Sequence, residues 1–537
     1  MKKNIFLWAV FFVGISLISV SKSWKEIALA DIATIEKALQ KNHPGAVDEQ
    51  PNAFLSWMKK GRQELSLKLA QVTDEKSYRQ LLSWYVKGFN DGHLSLEFSH
   101  LEVDLQPKVF EWPGFLMTYD PCLKRFLLDK ELDYLWPANG HRSQYRTVVK
   151  IDELSPQEWI EKNSIPHRFG AISGLQSALV KSAPWALVWS GNVFVKKPST
   201  ITVGAGIWCR CLLGAEHSEK TVTLNWSPIP SKELDEKIST LRGFVKDKRA
   251  KVAFFNTSRD LGHVYDVYLK IPSFSGENSE VASSLNQATE QIKKYVDRKR
   301  KQKNNDLSQQ NQSEINVAID LRGNVGGSSV FGTKILESFY GQPYVEQEVF
   351  GATCREEVWW RATPVNIAWL KDNPYAAYAP QEIKDWCLEK AQKLQTSLDA
   401  HETFFKETFN KIRTMIYCCP NIKARITIII DAQCGSSALD FIDQAKACGK
   451  EFVTLVGNPT SADSVYMELS EVALSSATGQ SLKLGYPMKV YKKRARGHNQ
   501  PYVPDVMLSA DLMKQHPARA KDISAFLRSI EETKKFL

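Results

Sequence analysis

A chain of 537 residues, 43% of them apolar, has the substance for two or three domains with cores of their own. Its net charge of +10 is modest for that length, and no basic stripe is interleaved with aromatic residues, which speaks against nucleic acid as a partner. The nine cysteines are an odd number, so at least one thiol is unpaired within the chain. Cys209–Cys211 and Cys418–Cys419 lack the two separated pairs of a zinc site, and no structural metal or other cofactor is expected.

Lys2 and Lys3 precede an apolar stretch from Ile5 to Val20, the two parts of an export signal. Cleavage is expected after Ser23, with Ala30 as a second candidate. An uncleaved anchor is the alternative, although the stretch is short for a spanning helix. No other segment is apolar for long enough to span a membrane, so the expected location is the periplasm or the medium.

From Asp31 to Phe89 the periodicity is helical: Ile32, Ile35, Ala38 and Leu39 share one face, and Leu81, Leu82, Tyr85, Val86 and Phe89 another. A turn at Asn90-Asp91-Gly92 leads into a strand in which Leu94, Leu96 and Phe98 alternate with polar residues. This helical region is assigned to residues 24–110. Residues 111–255 carry short β-like runs punctuated by Pro and Gly, among them a strand, turn and helix start over 145–160. The remainder, 256–537, alternates strands with helices in the manner of an α/β core. A basic run at 293–312 reads as a helix end passing into a polar loop. The segment 354–420, rich in aromatic residues, reads as a largely helical insertion that acts as a lid over a cleft.

Two units within the last region bear chemistry. Val317, Ala318, Ile319 and Leu321 form a buried strand that ends in Gly323, Gly326 and Gly327, with Ser328 and Ser329 able to cap the following helix. The loop lacks both common nucleotide-phosphate patterns. Ile426, Ile428, Ile429 and Ile430 form a second strand, followed by a turn and by Ser436 and Ser437 at a helix start. A serine there lies beside free backbone N–H groups and the positive end of the helix dipole, which suits an oxyanion. Ser437 with Asp440 three residues on is equally a capping box, and each feature alone has such an ordinary explanation.

Taken together, the motifs resemble the C-terminal processing, or tail-specific, serine proteases, including their tricorn-like branch. The loop Asp320-Leu321-Arg322-Gly323-Asn324-Val325-Gly326-Gly327 matches that family's D-L-R-x-N-x-G-G, and Ser437-Ala438-Leu439-Asp440 its S-A-x-[ED]. Val456-Gly457-Asn458-Pro459-Thr460 and Pro504-Asp505-Val506 match two later motifs, and Asp91-Gly92-His93 matches the D-G-H of the tricorn-like members. Residues 145–160 weakly resemble part of a PDZ-like module.

The lysine that many members use as base is absent: its region reads Ser461-Ala462-Asp463. The resemblance therefore implies an α/β core of the crotonase-like (ClpP/crotonase) type and a serine-type peptidase. Ser437 is the nucleophile, His93 the general base, and the amides of Gly326, Gly327 and Ala438 the oxyanion hole. His498 is the rival base, and Asp463 and Glu468 are candidates for the supporting carboxylate. The substrate is an extended polypeptide, entering by its C-terminal end. The competing expectation is an inactive member that binds peptides or an envelope protein.

Overall fold

The computed structural model describes residues 22–535 apart from 49–52, 99–107, 129–146, 164–174, 205–218, 242–247, 256–263, 276–278, 305–313, 354–356, 373–380, 409–417, 480, 493, 495, 498–499 and 518. Residues 1–21, most of the expected export signal over 1–23, and the rival base His498 lie outside the described residues. Among the described residues no helix is long and apolar enough to cross a membrane.

The C-terminal half is organised by a six-stranded sheet in the order Val506–Met507, Val453–Gly457, Lys423–Ile430, Glu314–Asp320, Val267–Lys270, Lys251–Phe254. The first five run parallel and Lys251–Phe254 is antiparallel to its neighbour. Parallel strands are covered on both faces, which is why they read as unbroken apolar runs. Val317, Ile319, Ile426, Ile428 and Ile430 point to one face, under the helices Ser279–Asn304, Ser329–Tyr340 and Ser437–Gly449. Ala318, Ile429 and Val456 point to the other, under Phe526, Leu527 and Ile530 of the helix Ala520–Lys535. Residues alternating along each strand thus fill two separate cores.

The N-terminal helices Trp24–Asn42, Ala53–Leu69 and Glu75–Lys87 share a core that includes Leu484 and Tyr486 from near the other end of the chain. Ser23 caps the first helix by a reciprocal exchange with Glu26, and Ala28 is buried inside that helix. Cleavage after Ala30 would cut through this element. Ser95–Phe98, directly after the D-G-H turn, pairs antiparallel with Ser481–Tyr491, Ser95 opposite Gly485.

The same sheet takes up two strands of the insertion expected to be largely helical. Glu357–Arg361 and Phe404–Thr408 are strands that pair with each other, and the first also pairs with Ser481–Tyr491. The helices Pro364–Asp372 and Gln381–Asp399 lie between them in sequence, and Trp360, Ile367, Leu370 and Leu394 share a core with Met488. The insertion expected to act as a lid is thus a packed unit fastened into a sheet. Val358, Trp359 and Trp360 favour a pleated, half-buried surface over a helix. Between the N-terminal helices and the core, a five-stranded sheet runs from Met117–Asp120 to Lys220–Thr223, with Val109–Trp112 and Ser227–Pro230 forming a separate pair.

Candidate active site

After Ile430 the chain turns on Asp431, whose Oδ1 accepts the amides of Gln433 (3.0 Å) and Cys434 (3.2 Å). Ser436 then adopts φ 51 and ψ −125, left-handed backbone that costs a non-glycine residue about 1–3 kcal/mol. That kink makes Ser437 the first residue of its helix. The capping alternative fails on this geometry. Ser436, not Ser437, occupies the N-cap position, and no side chain caps the helix. Asp440 faces Arg494 at 2.6 Å and Arg496 at 3.3 Å instead. The Ser437 hydroxyl is buried, and Oγ has no hydrogen-bond partner among the described residues.

The glycine loop lies against this turn and is laced to it. Gly323 N–H donates to Asp431 Oδ2 (3.0 Å), Gly435 N–H to the Asn324 carbonyl (3.1 Å), and Cys434 Sγ to the Leu321 carbonyl (3.2 Å). Asn324, fully buried, donates from Nδ2 to the Ile271 carbonyl (3.0 Å) and accepts the Gly326 amide on Oδ1 (2.9 Å). Gly326, at φ +109, sets its α-carbon against the nucleophile turn: a Cβ there would lie 2.7 Å from Ser436 Cβ and 3.1 Å from Ser437 N.

The amides expected to hold an oxyanion are not equally available. Gly326 N–H is taken by Asn324, and Ala438 N–H donates to the Gly435 carbonyl at 3.1 Å. Among the described residues, the Gly327 amide and that of Ser437 itself have no acceptor. Gly327 is glycine for a reason other than substrate approach. At φ +135 its Cβ would sit 2.2 Å from the Phe274 carbonyl oxygen, with which it forms a parallel bridge. Gly327→Val is therefore expected to lower the melting temperature, not to give a folded, inactive protein. A thermal melt run beside the activity assay checks this.

His93 arrives from the N-terminal half, on the turn that follows Glu75–Lys87. Asp91 Oδ1 accepts the His93 backbone N–H at 2.9 Å and faces its ring Nδ1 at 3.5 Å. Burial alone pulls the His93 pKa down, but Asp91 beside the ring, with the charges of Asp463 and Glu468, outweighs it and leaves the pKa raised. Asp91 itself, although buried, is held below the usual carboxylate range by His43 and His93. Sequence reasoning missed Asp91 as the carboxylate at the base, although it stands inside the D-G-H motif. It missed His43 altogether, since no motif links residue 43 to residue 91.

The two carboxylates suspected from sequence have other partners. Asp463 accepts the Ser436 amide (3.3 Å) and pairs with Arg496 (3.4 Å), and Glu468 pairs with Lys489 (3.2 Å). Both still belong to the electrostatic surroundings of His93. His93 also acts on Asp440, in the first turn of the Ser437 helix, which burial and Asp463 push up to about 6 against Arg496 and Lys489. The structure thus sets the glycine loop against the Ser437 helix start, and His93 feels the charges of Asp463, beside Ser436, and acts on Asp440 of that helix. The Ser437 hydroxyl is not hydrogen-bonded to His93. A lysine does reach this region, from the middle of the chain: Lys181 Nζ donates to Ser461 Oγ at 2.7 Å, and Ser461 N–H donates to the Cys434 carbonyl (2.9 Å).

The sequence matches no protein-family model and no curated protein. Solved structures do match. Mature CPAF is similar over 95% of this chain and 97% of its own, at 13% identity and a TM-score of 0.52. Mature CPAF complexed with lactacystin matches over 96% and 98%, at 13% identity and a TM-score of 0.53. The photosystem II D1 C-terminal processing protease matches over 94% and 97%, at 12% identity and a TM-score of 0.34. The likeness to CPAF spans nearly the whole of both chains, and it establishes a shared mixed α/β fold.

Proposed function

We propose that the chain is a serine peptidase in which Ser437 attacks the carbonyl of an extended polypeptide and His93 accepts the serine proton. The observation that carries this reading is the Ser437 hydroxyl: buried and, among the described residues, unbonded at a helix N-terminus, behind a strained Ser436 against which Gly326 packs. Asp91 orients His93. The Gly327 amide is the donor open to the oxyanion, Gly326 shapes the approach, and the Ala438 amide joins by releasing the Gly435 carbonyl. We read the core as crotonase-like because two successive strand–loop–helix units lay their loops side by side. The apolar stretch behind Lys2 and Lys3 favours export, and substrate entry by the C-terminal end follows from the motif resemblance.

A second reading, a silent member that binds peptides, is favoured by the missing Ser437–His93 hydrogen bond, although such bonds are often long before substrate arrives. A fluorophosphonate probe separates the two, because only an activated serine reacts. Labelling confined to Ser437, and blocked by the lactacystin seen on CPAF, supports the peptidase. Absence of labelling supports the binder.

The pH dependence has a defined sign. Only the deprotonated imidazole accepts a proton, and the His93 pKa is raised above its ordinary value of 6.5. Labelling is expected at full rate well above that value and to fall as pH drops through the raised pKa. An unshifted imidazole would keep half its rate at about pH 6.5, and the raised pKa moves that half-point to higher pH. The rate of probe incorporation against pH checks this.

A further inference from the structure

We infer that His43 is a positioning residue for the base: it fixes Asp91 in the orientation that Asp91 presents to His93. The inference rests on the reading of His93 as the base, and it concerns a residue on a different element, the C-terminal end of the helix Trp24–Asn42. His43 is fully buried. Its Nδ1 accepts the Gly45 N–H at 2.9 Å, which leaves the ring proton on Nε2. Nε2 faces Asp91 Oδ2 at 3.2 Å and donates to it. One carboxylate oxygen is thereby held by His43, and the other is left for the backbone and ring of His93.

The ring of His43 is held on its remaining sides. Phe54 stacks on it at 4.3 Å and 17°, and Tyr466 meets its edge at 5.0 Å and 67°. A Cβ on Gly45 would lie 2.9 Å from the Tyr466 ring and 3.0 Å from His43 Nδ1, so the turn needs glycine for this approach. Burial depresses the His43 pKa despite Asp91, which keeps the ring neutral and its tautomer single. A neutral donor supports the Asp91 charge without competing for it, which a second imidazolium would do.

The other groups that act on His93 are Asp463 and Glu468, and Asp440 is coupled to it. Arg496 pairs with Asp463 and Asp440, and Lys489 with Glu468. Tyr466 feels the charge of Asp91, and its hydroxyl bonds Asp48 at 3.4 Å. The substitutions below leave all of these in place.

The test follows the His93 ring by NMR in ¹³C-histidine-labelled protein, assigned with His93→Gln. Asp91→Asn removes the anion and should lower the His93 midpoint by about one unit. His43→Phe keeps the aromatic packing and deletes the donor, and it should lower the midpoint most of the way to the Asp91→Asn value. His43→Gln restores a donor and should return it toward wild type. In the Asp91→Asn background His43→Phe should add nothing, because its effect passes through Asp91. If His43→Phe does not fold, His43→Leu serves in its place. A wild-type midpoint in the folded His43→Phe or His43→Leu protein would overturn the inference. So would an undiminished shift in the Asp91→Asn background. Loss of fluorophosphonate labelling together with the expected titrations would sink the peptidase reading and leave the His43–Asp91–His93 arrangement standing.

Discussion

Ser437→Ala is expected to lose catalysis on the order of 10⁶-fold, as nucleophile deletion does in serine proteases, while the protein stays as stable as wild type or gains slightly. The two halves of that expectation have separate grounds. The rate loss follows from removing the attacking oxygen. The stability follows from the hydrogen bonds: Ser437 Oγ makes none among the described residues, and it is buried, so its removal relieves an unsatisfied polar group. An N-cap serine would behave in the opposite way, losing about 1 kcal/mol and keeping its activity. Ser436→Ala should be mild, since its side chain does not cap the helix. His93→Ala combined with Ser437→Ala should be scarcely worse than either alone, as residues acting as one unit are. Peptide hydrolysis and thermal melts of the four proteins check this, and full activity in folded His93→Ala would remove His93 as the base.

Arg322→Met should be the most destabilising single change among the site residues, by about 3–5 kcal/mol, and inactive as well. Arg322 is buried, with Nε and Nη2 on Asp320 (2.9 and 2.7 Å) and Nη1 on the carbonyls of Met513 (2.8 Å) and Gln515 (2.9 Å). Its guanidinium also lies 4.7 Å from the Phe526 ring centroid. Losing it strands the Asp320 carboxylate, which then keeps Tyr268 OH (2.8 Å) and the Arg322 backbone amide (3.1 Å) as its hydrogen-bond donors. Arg322→Lys should recover little, because an ammonium cannot span carboxylate and carbonyls with a planar fork. Removing both charges, in Asp320→Leu with Arg322→Met, should recover part of the stability without recovering activity. Urea midpoints for the three variants decide it, and a wild-type midpoint in Arg322→Met would refute the bracing role of the pair.

What was legible in the sequence was what local pattern encodes. Ile426 to Ile430 announced a strand buried on both faces, and the glycines after Leu321 announced a backbone brought close to something. The chemistry of Ser437 was legible only as a choice between nucleophile and cap. The cap is disfavoured by the φ of Ser436, which no residue pattern around it displays. The aromatic residues of 354–420 were read for their amphipathic content, but Trp360 packs in a sheet whose central strand is supplied by residues after Tyr466. The His43–Asp91 contact and the Lys181–Ser461 contact join residues with no shared motif. Asp91 stands in the D-G-H motif and faces His93, whereas the expected supporting carboxylates were Asp463 and Glu468. Contacts of this kind depend on tertiary closure, and the sequence carries no local sign of them.

The pairing of Ser95 with Gly485 has a consequence for the timing of synthesis. His93 leaves the ribosome early, Ser437 late, and the strand that seats the His93 turn later still. Asp31, on the first helix, likewise waits for Ser476 and for the amide of Ala477 (2.7 Å), and the brace on Arg322 waits for Met513 and Gln515. Closing loops of this size is slow as well as entropically costly. A nascent chain therefore carries Ser437 with neither the His93 turn seated nor the Arg322 loop braced, and on the proposed reading a product released before its final strands is inert.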